Sequence, residues 1–178
     1  MAKVFNILFA AFLTGFILLD SPVCVAIGPN VNKTEAQARE AVLDVARSQI
    51  GVRELGHNSG PQIKQYLLSV GLAEGKAYCV AFVNWCLLKA GFQGANSGWS
   101  PAWFPNRRLV MQPQPGDVGG IYFPNLGRIG HGFLIEKWGT TVLTIEANTN
   151  AQGSREGSGV WRRRRLARQI TKVSDWIS

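Results

Sequence analysis

Tyr78-Cys79-Val80-Ala81-Phe82-Val83-Asn84-Trp85-Cys86-Leu87-Leu88-Lys89-Ala90-Gly91 is apolar almost all round, with one cation late and a glycine at its end. A run of that length, with Lys89 in the last turn and Gly91 as a stop, reads as a buried central helix. Cys79 then stands in the first turn, where the unpaired N–H groups of a helix stabilise a thiolate. Such a cysteine has two readings, a nucleophile or a buried structural thiol. Cys86 is the internal control. It lies seven residues on, so its Cα is about 10 Å away on an ideal helix. That exceeds disulfide reach, and Cys86 reads as core.

Working towards the N-terminus, Pro61 suits the first turn of a second helix running to about Val70. Residues 51–60 before it are a polar loop. Thr34-x-x-Gln37 is a capping-box pattern, and Ala38, Ala41, Val42, Val45, Ala46 and Ile50 follow at helical spacing until Gly51. On the C-terminal side, residues 92–115 are irregular and rich in Gly, Pro and aromatics. From Gly116 the texture changes. Asp117–Phe123, Gly130–Trp138, Thr141–Ala147 and Val160–Leu166 read as strands. Helices first and an antiparallel sheet afterwards predict an α+β fold, with the helices packed on a small sheet.

A cysteine nucleophile needs a base, and the chain has only two histidines, His57 and His131. His57 sits in the polar loop. His131 sits in Gly130-His131-Gly132, at the mouth of a strand where glycines let other groups approach closely. With Gly139-Thr140 as a two-residue turn, Trp138 faces Thr141 and His131 faces Asn148. Glu146 is then the diagonal neighbour on the same face. Leu134, Trp138, Leu143, Ile145 and Ala147 form the opposite, core face. A polar partner beside His131 fixes the tautomer and orientation of the ring, the third role in a Cys-His-polar triad. The alternative is a structural histidine beside a solvated pair of strand-end polar residues.

The ordered set Tyr78–Cys86, Gly116-Asp117-Val118, Gly130-His131-Gly132-Phe133 and Thr144-Ile145-Glu146-Ala147-Asn148-Thr149-Asn150 resembles a CHAP domain. CHAP domains are cysteine- and histidine-dependent amidohydrolases/peptidases of the NlpC/P60, papain-like group. Ala46–Asn58 and Gly153–Val160 are also similar to segments of that family, so the resemblance covers about residues 35 to 170. It implies a papain-like fold with Cys79 as nucleophile, His131 as base and acid, and Glu146, Asn148 or both as orienting groups. It implies acyl transfer to sulfur with no metal or cofactor, on a peptidoglycan stem peptide or muropeptide. Two positions depart from the pattern. Tyr78 stands where many relatives carry Trp, and Ala147 where Gly is usual; both touch the expected cleft wall.

The remaining features bear on substrate and location. Trp99, Trp103 and Phe104 fall in the Gly/Pro loop and line a substrate cleft or form a satellite core. Glu54 and Asn58, in the 51–60 loop, are cleft candidates with Tyr78, or solvated loop residues. Formal charge is +8 in a chain of 178 residues, which predicts attraction to a polyanion: nucleic acid, an anionic membrane or an acidic wall polymer. Lys3 followed by an apolar run from Val4 to Leu19, then Cys24 and Ala26 at the small-residue positions, has the plan of a signal peptide. The run is too short to span a bilayer, which takes roughly 20 residues. The chain therefore divides into a signal peptide over 1–26, a linker over 27–33 and a catalytic domain over 34–178. Export, to the outside or the periplasm, makes nucleic acid an unexpected partner. Arg162-Arg163-Arg164-Arg165 then reads as a contact for an anionic wall polymer, or as a basic strand edge that resists aggregation. Three further readings stand beside the hydrolase: a wall-binding module with an unreactive Cys79, a muramidase using Glu54 and Glu146, and an antibacterial effector with the same cysteine chemistry.

Overall fold

The computed structural model describes residues 34–150, 152 and 157–178. The signal segment over 1–26 and the linker over 27–33 lie outside the described residues, as do positions 153–156 of the resemblance. Among the described residues three α-helices precede a five-stranded sheet. They are α1 (Glu35–Ser48), α2 (Pro61–Leu68) and α3 (Cys79–Ala90). The strands are β1 (Val118–Phe123), β2 (Arg128–Lys137), β3 (Thr141–Thr149), β4 (Gly159–Leu166) and β5 (Lys172–Ser174). The sheet is antiparallel throughout, in the order β4-β3-β2-β1-β5. This is the α+β arrangement read from the element order. The three-residue β5 was not legible, being too short to show an alternation.

Local chemistry explains the helices. The Thr34 hydroxyl accepts from the Gln37 N–H at 3.3 Å, and the Gln37 side chain accepts from the Thr34 N–H at 2.9 Å. Pro61 opens α2, and Gly91 closes α3 in the left-handed region at φ 93°. Val80, Ala81, Phe82, Val83, Cys86 and Leu87 of α3 are all fully buried. They pack with Val42 and Ala46 of α1, Ile63, Tyr66 and Leu67 of α2, and Leu134, Ile145 and Ala147 of the sheet. Each large aliphatic or aromatic side chain withdrawn from water in this way contributes about 1.5–3 kcal/mol.

The far face of the sheet is also covered. Phe133, Ile135, Val142 and Val173 form a second buried cluster there. Trp138 packs against this cluster and Leu143 is only half-buried, so the core face expected from strict alternation is corrected at its turn end. The reason lies in the register. Leu134 pairs with Ile145 and Ile135 with Thr144, as the hairpin reading requires, but Lys137 then pairs with Leu143. The extra residue is Glu136, whose carboxylate accepts from Arg47 of α1 at 2.8 Å and from Arg162 of β4 at 2.6 and 2.8 Å. A bulge flips every side chain beyond it.

One further ion cluster fastens the helices to the sheet. The Arg39 guanidinium, almost wholly buried in α1, reaches Asp117 just before β1 at 2.7 Å and Asp175 just after β5 at 2.7 Å. It also reaches Glu35 at 2.8 Å.

Candidate active site

The elements bring three of the expected groups together. Cys79 begins α3 and is 4% exposed. His131 lies on β2 and Glu146 on β3, both buried. His131 Nε2 meets Glu146 Oε2 at 2.9 Å, the diagonal contact that the hairpin register predicts. Two bulges shape this end of the sheet. Ile121 pairs with His131 but Tyr122 with Ile129, leaving Gly130 as the extra residue immediately before the histidine. Ala147 pairs with Val160 but Thr149 with Gly159, leaving Asn148 extra, in the left-handed region at φ 56°. The second glycine of the Gly-His-Gly triplet has a steric role. A Cβ on Gly132 would lie 2.6 Å from Val80 Cγ1, so glycine is what lets the first turn of α3 close onto β2.

Glu146 is clamped as well as buried. Arg165 of β4 donates to both its oxygens, each at 2.6 Å, and the Thr144 hydroxyl donates at 2.5 Å. Burial alone works to raise its pKa, but His131 and Arg165 outweigh that and hold the carboxyl at about 2. The ionised carboxylate acts in turn on the imidazole. Burial works against a charged His131, but Cys79 and Glu146 hold it up at about 9. Its Nδ1 is buried without a hydrogen-bond partner among the described residues, which leaves it as the ring nitrogen available to Cys79. The thiol responds. Burial pushes Cys79 up, and the His131 imidazole, the Gly132 backbone and the Ser100 hydroxyl more than offset it, holding the thiol down at about 7. Cys86, in the same helix and equally buried, has no such partners, and its thiol is pushed well above the ordinary value. One helix thus carries one thiol held below the ordinary value and one pushed above it.

The other expected site residues divide into three groups. Trp99 is 53% exposed and lines the cleft that opens beside Cys79. Glu54, Asn58 and Asn148 line a second cleft with His57. Asn148 is therefore on a cleft wall, while the hydrogen bond to the imidazole comes from Glu146. Tyr78 and Trp103 are corrections: both are fully buried and have no surface to offer a substrate. Trp103 belongs to the core and donates its indole N–H to the Ser97 carbonyl at 2.9 Å. Tyr78 donates its hydroxyl to Glu54 at 2.9 Å, while Glu54 accepts from the Asn58 N–H at 2.9 Å. Glu146 is sealed in its clamp and Glu54 lines a different cleft, so the two do not form a carboxylate pair.

Sequence reasoning missed Thr144 and Ser100, and read Arg165 as part of a basic run for a wall polymer or strand edge rather than as the partner of Glu146. Thr144 shares a face with Glu146 by simple alternation and was legible. Arg165 was not. In the β3–β4 register Arg163 faces Thr144 and Arg165 faces Val142, so pairing alone favours Arg163 as the neighbour of Glu146. The basic run is also less free than it reads, since Arg162 is bound to Glu136 and Arg165 to Glu146.

No protein-family model matches the chain, and no curated protein matches it in sequence. Among solved structures, the chain is similar to the crystal structure of an NlpC/P60 family protein from Bacillus cereus ATCC 10987. The TM-score is 0.49 and the sequence identity 9%, over 83% of this chain and 44% of that one. The chain spans less than half the length of that protein.

Proposed function

We propose that the protein is an exported cysteine hydrolase that cuts an amide bond in the peptide part of bacterial peptidoglycan, as an endopeptidase or an N-acetylmuramoyl-L-alanine amidase. The observation that carries this reading is the buried grouping of Cys79 at the start of α3 with His131 on β2, whose Nε2 lies 2.9 Å from Glu146 Oε2; the lowered thiol of Cys79 against the raised thiol of Cys86 supports it. Near neutral pH, a thiol at about 7 beside an imidazole at about 9 forms a thiolate–imidazolium pair. Glu146 holds the ring, and Arg165 and Thr144 hold Glu146.

The reaction follows from these positions. The Cys79 thiolate adds to the amide carbonyl, forming the C–S bond. The first-turn N–H groups of α3 point where the oxyanion develops. His131 gives its proton to the leaving nitrogen as the C–N bond breaks. A water then gives its proton to His131 and adds to the thioester, releasing the acid and regenerating the thiol system. The basic surface draws the protein to an acidic wall polymer, with Arg164, exposed on β4, as one contact. Residues 1–26 serve as the export signal in this reading.

Clearing of purified sacculi by the wild type and by Cys79→Ala tests the reading. The expected result is clearing by the wild type alone; equal clearing by both would sink the cysteine mechanism.

A further inference from the structure

The cleft beside Cys79 is electrostatically one-sided. Arg128, Lys76, Trp99 and Ser100 line it with Cys79, and among the described residues no aspartate or glutamate does. Three of the buried and half-buried arginines, Arg39, Arg47 and Arg165, each sit against at least one carboxylate. Arg128 has none among the described residues, and it is nevertheless held in place. Its guanidinium carbon lies 4.0 Å from the centre of the Trp99 ring, and its Nη1 donates to the Ile129 carbonyl at 3.0 Å. Lys76 is exposed on the same cleft.

A guanidinium fixed by stacking and by a backbone carbonyl has already lost much of its side-chain freedom. Its remaining N–H groups form a planar fork that suits a carboxylate. Trp99 meanwhile keeps half its surface in water, an unusual cost for a tryptophan whose ring serves only as a platform. The second cleft is different in character: among the described residues Glu54, Asn58, Asn148 and Asn150 line it, with no lysine or arginine.

We infer that Arg128, stacked on Trp99, forms a carboxylate-binding subsite beside the nucleophile, so that the protein selects peptides bearing a free carboxylate close to the scissile amide. The inference rests on the hydrolase reading for its substrate class, but binding tests it separately from cleavage. Arg128 and Trp99 are specificity groups in this account, and Lys76 adds charge at the rim.

The probe is a set of soluble muropeptides in two forms, native and with their carboxylates converted to carboxamides. Binding is measured by calorimetry on the Cys79→Ala protein, alone and combined with Arg128→Gln, with Lys137→Gln, an exposed cation at the end of β2, as the charge-matched control. Native muropeptides are expected to bind at least tenfold more tightly than amidated ones. Arg128→Gln is expected to erase that difference, and Lys137→Gln to leave it intact. Equal affinity for the two forms, a preference that survives Arg128→Gln, or no binding of either form overturns the inference. Cleavage by the wild type, run in parallel, separates the two readings. Cleavage without carboxylate preference leaves the hydrolase and removes the subsite; preference in binding without any cleavage does the reverse.

Discussion

Replacing Glu146 by Gln isolates what the buried carboxylate does. His131 stands at about 9, against an ordinary value near 6.5. That difference is worth about 3 kcal/mol of preference for the charged ring. Only two partners supply it, Cys79 and Glu146, and they do so against the cost of burial. The share of Glu146 is therefore on the order of 1–2 kcal/mol, or about tenfold or more in the protonation equilibrium. The His131 midpoint should fall from about 9 to about 8 or below, and the alkaline limb of kcat/KM should fall with it. The ring also loses its orienting acceptor, and a Gln amide donating to Nε2 favours the wrong tautomer. In the serine-protease triad the equivalent neutral substitution costs about 10⁴-fold in kcat, so a loss of about 10²–10⁴-fold is expected here. The variant also removes the carboxylate against which Arg165 sits, its side chain only 10% exposed, and the double variant Glu146→Gln/Arg165→Gln separates that loss from the effect on the imidazole. The assay is an NMR titration of the imidazoles, made simple by there being two histidines in the chain. A His131 midpoint unchanged from the wild type in both the single and the double variant would refute the electrostatic role given to Glu146.

Two other substitutions test how the site is supported. Gly132→Ala places a methyl group 2.6 Å from Val80 Cγ1. It should cost about 1–3 kcal/mol as overpacking and move α3 off β2. Because the Gly132 backbone helps hold the Cys79 thiol at about 7, the midpoint of iodoacetamide alkylation, followed on the Cys79 peptide by mass spectrometry, should rise. An unchanged midpoint would show that the close contact is not what tunes the thiol. Arg39→Met leaves Asp117 and Asp175 facing each other without their shared cation. A loss of about 3–5 kcal/mol should appear as a lower urea midpoint; a change below about 1 kcal/mol would mean that the cluster is far better solvated than its burial implies.

Much of the site was legible because it depends on local rules. The apolar run Cys79–Ala90 had to be buried, which fixed the place of Cys79 at a helix start. Alternation in β2 and β3 gave the Leu134–Ile145 register, and with it the approach of Glu146 to His131. The misreadings have physical causes. Trp138 changed sides because Glu136 is drawn into an ion cluster with Arg47 and Arg162, partners far away in the chain, and no local pattern signals that bulge. Trp103 was read as a cleft candidate because it sits in a Gly/Pro loop without periodicity. Its burial is decided by tertiary packing against Trp176, 5.2 Å away between ring centres. Arg165 escaped because strand pairing pointed to Arg163. The choice between Glu146 and Asn148 turned on a bulge, which a strict two-residue alternation does not anticipate.

The placement of Arg165 has a consequence for how the molecule ages and inactivates. Among the described residues β4 is an outer strand of the sheet, with β3 on one side and, on the other, only the bonds of residues 51–54 to its start, away from Arg165. Strands in that position open by local fluctuations well below the free energy of global unfolding. Each such opening carries Arg165 away from Glu146 and lets water reach the carboxylate, while α3 and the central strands stay folded. Loss of thiol reactivity and loss of structure are then separate events on different free-energy scales. Mild heat or denaturant should yield an intact but silent protein, whose chemistry returns once the margin of the sheet closes again.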